Sequence, residues 1–368
     1  MNIIGEKMKG KSTNTDKRAT SYDIWMGKPA NGLIWDFGRI DYQNPPTDES
    51  FYSANGRKYL ISGSSKHMKS RQKDRPAIWY STVYNSVNHM VTEEGECDVF
   101  TWETPLGKLI GKRHNNHFSE YPIKTIEDID IWTYIYSNIS FSLNRDWLER
   151  TNIGELKSLG LNWSPVQQLM QFDMGLENFY YFLVDAPEKM ETLLDVMQKR
   201  CVERLKLCLS NFPDISYIYW GENTSSSSIS PSYYQRLTLP HIKEYAELAH
   251  NANKRLIIHM CGLLKDLLDS FILTGMDGIH SATPPPFGDA PYELIREKFK
   301  KDFTILGRFN AQLWMGKSVS EIQANLKKSV YPELLESPFL LMVTDDAIPD
   351  IPYENVMNLY EALENIRW

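Results

Sequence analysis

No apolar run in these 368 residues approaches the length of a bilayer span, so a membrane-spanning role is not expected. The amino-terminal stretch MNIIGEKMKGKSTNTDKR is polar and lacks the apolar centre of a secretory signal, and a cytoplasmic location is the expectation. Cysteine is scarce. The four present, Cys97, Cys201, Cys208 and Cys261, are too widely spaced for a disulfide scaffold and suit packing or metal binding in a reducing compartment. Clustered cations are also missing. With a formal net charge of −7 and no compensating Lys/Arg patch, the chain is a poor partner for a phosphate backbone, so nucleic acid is not expected. No repeat of 20 to 50 residues occurs, which excludes a solenoid or propeller.

Aromatics, by contrast, are plentiful. Ten Trp and twenty Tyr exceed what a core needs and suit either a lined pocket or the interior of a large barrel. Residues 1–22 read as a flexible basic arm, and 23–368 as one large domain. Short candidate strands occur at Leu33-Ile34-Trp35-Asp36-Phe37 and Tyr59-Leu60-Ile61. From Cys97 to Lys112, two alternating runs flank Thr104-Pro105-Leu106-Gly107, the pattern of a β-hairpin.

After about residue 120 the pattern becomes strand, helix, strand. Pro187 opens a long helix with one apolar stripe through Met190, Leu193, Leu194, Met197, Cys201, Leu205 and Cys208, which makes both cysteines core residues first. Strands are expected at 216–220, 255–259, 278–281, 303–307 and 339–343, with helices at 231–251, 263–273, 290–300, 319–330 and 353–366. Five apolar strands each followed by a helix imply a parallel sheet with right-handed crossovers. Three more strands from the first 170 residues complete an α/β (β/α)8 TIM barrel, with an N-terminal extension and a β-hairpin insertion, and its chemistry belongs where the strands end.

The chemically capable residues lie at those ends. His259-Met260-Cys261-Gly262 places an imidazole and a thiol two residues apart after Leu256-Ile257-Ile258, and in extended chain such a pair projects from one face. Zinc needs three or four donors, so others must come from elsewhere. Glu222, after the preceding strand, is a carboxylate candidate that reads equally well as orienting the Thr224-Ser225 turn. Asn310 follows another strand, and Asp345 and Asp346 follow the last, as catalytic groups, a fourth ligand or merely caps facing solvent. His280 reads as structural. His114 and His117 have metal-compatible spacing but lie in a polar loop. The triple proline Pro284-Pro285-Pro286 shapes a rim rather than doing chemistry.

Trp220-Gly221-Glu222-Asn223, Ile229-Ser230-Pro231-Ser232-Tyr233-Tyr234, His259-Met260-Cys261-Gly262, Gly275-Met276-Asp277-Gly278-Ile279 and Pro352-Tyr353-Glu354-Asn355-Val356 together resemble the uroporphyrinogen decarboxylase-like superfamily. So do Glu103-Thr104-Pro105-Leu106-Gly107 and Gly175-Leu176-Glu177 upstream. Within it the chain is similar to the branch of zinc-dependent, corrinoid-linked methyltransferases. The resemblance implies a barrel, a zinc held by Glu222, His259 and Cys261, and a corrinoid (cobalamin-type) cofactor carried by a partner protein. It implies methyl transfer, a reaction of one-carbon metabolism, between a small O-, N- or S-methyl compound or thiol and that corrinoid. The chain departs from the branch where Met342-Val343-Thr344-Asp345-Asp346-Ala347 lacks a further cysteine, so a thiolate-poor site is expected. It also lacks the arginine cluster that would hold a polyanionic porphyrinogen. Two other classes stay open: a lyase acting on a small carboxylate with Arg308 as anion anchor, and a non-catalytic barrel binding a corrinoid protein or ligand.

Overall fold

The computed structural model describes residues 22–30, 32–36, 40–43, 50–52, 58–60, 79–115, 117–150, 158–342 and 348–368. The proposed arm, residues 1–22, thus lies almost wholly outside the described residues, as do Asp345 and Asp346. The chain divides into two compact units, Asp74–Met276 and a second made of Met1–Lys73 with Asp277–Trp368.

The Asp74–Met276 unit is built on three parallel strands, Ser158–Leu161, Tyr217–Gly221 and Arg255–His259. Their centres are apolar without alternation, and Ile218, Trp220, Leu256, Ile257 and Ile258 are all buried. Strands covered on both faces require such runs. The helix Pro187–Asn211 crosses from the first strand to the second with Pro187 in its first turn, where a missing N–H costs nothing. Its buried face carries the expected stripe, Cys201 and Cys208 included, so these two thiols are packing residues. Burial pushes the Cys208 thiol up to about 12, which keeps it protonated and inert.

The second crossover differs from the single helix expected at 231–251. A π-helical turn, Tyr234–Thr238, separates Pro231–Tyr233 from Leu239–Asn251. Pro240 is the physical reason: in an unbroken α-helix its absent N–H would have to serve the Arg236 carbonyl, and its ring would strike that group. The wider turn relieves both.

The expected hairpin is present as Cys97–Thr104 and Gly107–His114, but it is the middle of a four-stranded antiparallel sheet completed by Asn88–Glu94 and His117–Glu120. Asn88–Glu94 escapes a hydrophobicity reading because nearly all of it is exposed. One face of the sheet buries the cross-strand pair Trp102 and Leu109, and Trp102 meets Trp132 of the helix Ile126–Ser137 edge-on at 4.9 Å. That helix starts at a capping box in which Thr125 and Asp128 satisfy each other's backbone N–H. His114 and His117 face each other across the sheet margin, solvated as their polar setting implies.

In the other unit, Gly278–Ala282, Thr304–Arg308 and Phe339–Met342 run parallel in that order, and Trp35–Asp36 pairs parallel with Phe339–Met342. Pairing of an early strand with the last parallel strand is the connectivity that a closed barrel demands. His280 is buried within its strand and stacks on Trp25 with ring centroids 6.1 Å apart, a structural role as expected.

Candidate active site

Parallel pairing brings Gly221 opposite His259, so Glu222-Asn223 and Met260-Cys261 leave their strands at the same end of the sheet. There the Asn223 side-chain oxygen accepts from the Cys261 backbone N–H at 3.1 Å and from its thiol at 3.0 Å. Only an oxygen can face an N–H donor, which fixes the orientation of the amide. Gly262 then turns the chain at φ +88°, and a Cβ there would come within 2.9 Å of the Ser225 hydroxyl. Gly262→Ala is therefore expected to lose about 2 kcal/mol from left-handed strain and crowding, checked by urea unfolding.

Glu222 is fully buried, and both of its carboxylate oxygens are taken: one accepts from the Ser164 N–H at 3.1 Å, the other from the Thr224 hydroxyl at 2.9 Å. Burial raises its pKa, and the hydrogen bonds from Ser164 and Thr224 oppose that rise. Ser164 itself caps the Pro165–Gln168 turn by accepting from the Gln167 N–H. Glu222 thus ties the ends of two neighbouring strands together. His259 is half-buried, with its ring edge-on to Tyr219 at 6.4 Å.

Among the described residues no three His, Cys, Asp or Glu side chains are grouped to hold a metal ion. His259 and Cys261 supply one nitrogen and one sulfur, a donor chemistry that fits zinc as far as it goes. Asn310 belongs to the other unit, where its side chain accepts from the Gln312 N–H at 3.0 Å and caps the turn Ala311–Leu313.

Two cavities open in the Asp74–Met276 unit. One, of about 550 Å³, is polar: Asn223, Ser225 and Ser227 face it, with Gln167 and Gln171 from the segment after Ser164. The residue that holds the Cys261 thiol thus opens into a space of substrate size. The other, of about 350 Å³, is walled by aromatic rings, and Phe118 and Phe172 line both.

Asp173 lies on the aromatic cavity, accepting from Trp132 Nε1 at 2.9 Å and Gln168 Nε2 at 2.8 Å. Burial raises its carboxyl to about 7, against the hydrogen bonds from Gln168 and Trp132. A carboxyl whose folded pKa lies above its unfolded value stabilises the fold fully below the unfolded pKa and loses that contribution as pH rises through the folded one. Stability is therefore expected to fall between pH ~4 and ~7 by on the order of 4 kcal/mol, and Asp173→Asn to flatten the dependence, as read by denaturation at several pH values.

Comparison with known proteins places this geometry in a family. Residues 150–366 match the sequence profile of uroporphyrinogen decarboxylase (URO-D). The chain belongs to the URO-D family. The fold of that family is the (β/α)8 barrel, in keeping with the parallel strands and helical crossovers of both units. Among solved structures, a methyltransferase from Methanosarcina mazei is 14% identical with a TM-score of 0.46, covering 67% of this chain and 71% of that one. The IOLI protein, crystallised with a bound zinc atom, is 8% identical with a TM-score of 0.29, covering 59% of this chain and 80% of that one. Neither adds to what the family match says. No curated protein matches the sequence.

For a URO-D family member the site is only partly what its motifs announce. His259 and Cys261 stand at a strand end as expected, and Glu222 stands near them in sequence but is bonded to Ser164 and Thr224. Asn223, one residue on, is the partner of the thiol. The aromatic cavity was signalled only by the excess of Trp and Tyr. Among the described residues no helix is long and apolar enough to cross a membrane.

Proposed function

We propose that this URO-D family chain is a methyltransferase that moves a methyl group between a small O-, N- or S-methyl compound and a corrinoid carried by a separate protein. The observation that supports this most is the Cys261 thiol, held by Asn223 at the end of a parallel strand beside a polar cavity. His259 and Cys261 would hold a zinc ion, with any further donor to be sought among residues 343–347. Zinc, when bound, would supply Lewis-acid polarisation of the oxygen, nitrogen or sulfur that carries the methyl group. Asn223 fixes residue 261 by accepting from its backbone N–H, a bond that survives when the thiol gives up its proton to become a zinc ligand, so that position is set before substrate arrives. The serine hydroxyls and glutamine amides of the cavity offer hydrogen bonds to the atom released when the methyl carbon is taken by the corrinoid's cobalt. That atom leaves with the bonding electron pair and takes a proton from water or a cavity hydroxyl.

The test is conversion of cob(I)alamin to methylcob(III)alamin by the purified chain, followed by visible absorbance over a panel of methoxy, methylamine and methylthio compounds. Turnover with one class supports methyl transfer. Carbon dioxide release from a small carboxylate without any methyl transfer would favour the lyase instead.

A further inference from the structure

We propose that the aromatic-walled cavity of the Asp74–Met276 unit binds a small aromatic carboxylate, with Arg204 as the partner of its carboxylate group. Arg204 projects from the helix Pro187–Asn211 into this cavity and is only 8% exposed. Its guanidinium donates to the Tyr80 hydroxyl at 3.0 Å and the Asn162 carbonyl at 2.9 Å, both neutral acceptors, and its Nε has none. Among the described residues no carboxylate pairs with it. The other two arginines on the cavity differ: Arg113 pairs with Asp98 at 2.9 Å and Arg200 with Glu203 at 2.6 Å. A buried cation lacking a counter-ion is costly, and an anionic ligand entering the cavity removes that cost.

The walls specify the rest of the ligand. His89 stacks on Trp102 at 5.0 Å and lies 4.6 Å from Tyr84, while Tyr80 and Phe141 meet edge-on at 5.5 Å beside the guanidinium. The Arg204 carbon lies 5.3 Å from the Tyr80 ring centre and 5.8 Å from that of Phe141. Flat rings around a planar fork suit a flat ligand with a planar anion. A cavity of about 350 Å³ exceeds the ~150 Å³ that accepts benzene, leaving room for a carboxylate and small ring substituents. An aromatic cage can also take a quaternary ammonium, but here its positive charge would lie in one cavity with the uncompensated Arg204. Asp173 does not serve as the missing partner, since its oxygens bond to Trp132 and Gln168.

The experiment is calorimetric titration of the full chain with benzoate, the neutral analogue benzyl alcohol and tetramethylammonium. This assignment is independent of methyl transfer. Benzoate is expected to bind at least tenfold more tightly than benzyl alcohol, with the preference lost in Arg204→Gln, partly kept in Arg204→Lys, and both ligands weakened in His89→Leu. Equal affinity for benzoate and benzyl alcohol, tighter binding of tetramethylammonium, or undiminished benzoate binding in a folded Arg204→Gln would each overturn it. Should Arg204→Gln fail to fold by circular dichroism, the wild-type comparison and His89→Leu still decide.

Discussion

Cys261→Ser is expected to lower methyl transfer to cob(I)alamin by at least about 100-fold while leaving the unfolding midpoint near that of the wild type. A serine hydroxyl still donates to the Asn223 oxygen, and the backbone N–H of residue 261 keeps its own bond to the same atom. The fold therefore loses almost nothing, and what changes is the loss of a soft, ionisable sulfur. Zinc content measured by mass spectrometry gives a second readout, expected to fall with Cys261→Ser and with His259→Ala alike. Asn223→Ala is the milder partner: it keeps the sulfur but frees it to move, and about a 10-fold loss is expected, in the range seen when the support of a ligand is removed. Full-rate transfer by Cys261→Ser would mean that the thiol takes no part, and the methyltransferase proposal would lose its central residue.

How far the sequence spoke for this structure depended on what each residue's signal is made of. The strand Arg255–His259 is found where expected because Leu256-Ile257-Ile258 is a short apolar run bounded by Asn253-Lys254 and by Gly262, which leaves little choice. The helix Pro187–Asn211 is equally clear, since a proline at its start and one long stripe agree. The outer strand Asn88–Glu94 was silent: it is held by backbone pairing to Cys97–Thr104, not by burial, and pairing leaves no trace in hydrophobicity. The site divides the same way. His259 and Cys261 announce themselves by chemistry, whereas Asn223 matters only through a contact 38 residues away in sequence. Arg204 left one faint mark: it falls three residues after Cys201, on the buried stripe, where a cation is out of place. The rings around it come from segments scattered between Tyr80 and Phe172, so only the folded chain assembles them.

Glu222 offers the second large effect, and the choice of substitution separates two roles for it. Glu222→Ala would strand the Ser164 N–H and the Thr224 hydroxyl in a fully buried place, each left without its acceptor. An unsatisfied buried donor costs ~1–3 kcal/mol, while removal of a desolvated carboxylate returns part of that, so a net loss of about 3 kcal/mol is expected in urea unfolding. Glu222→Gln keeps an oxygen for the Ser164 N–H, and the Thr224 hydroxyl can rotate to accept from the new amide, so its stability is expected to stay within about 1 kcal/mol of wild type. The carboxyl's raised pKa works in the same direction, because glutamine resembles the protonated form that burial favours. If Glu222 only ties the two strand ends, Glu222→Gln retains zinc and methyl transfer, and Glu222→Ala fails through stability. If it is instead a metal ligand, Glu222→Gln loses zinc with its fold intact, since a neutral amide is a far poorer donor than a carboxylate. The packing against Ser164 and Thr224 leads us to expect the first result.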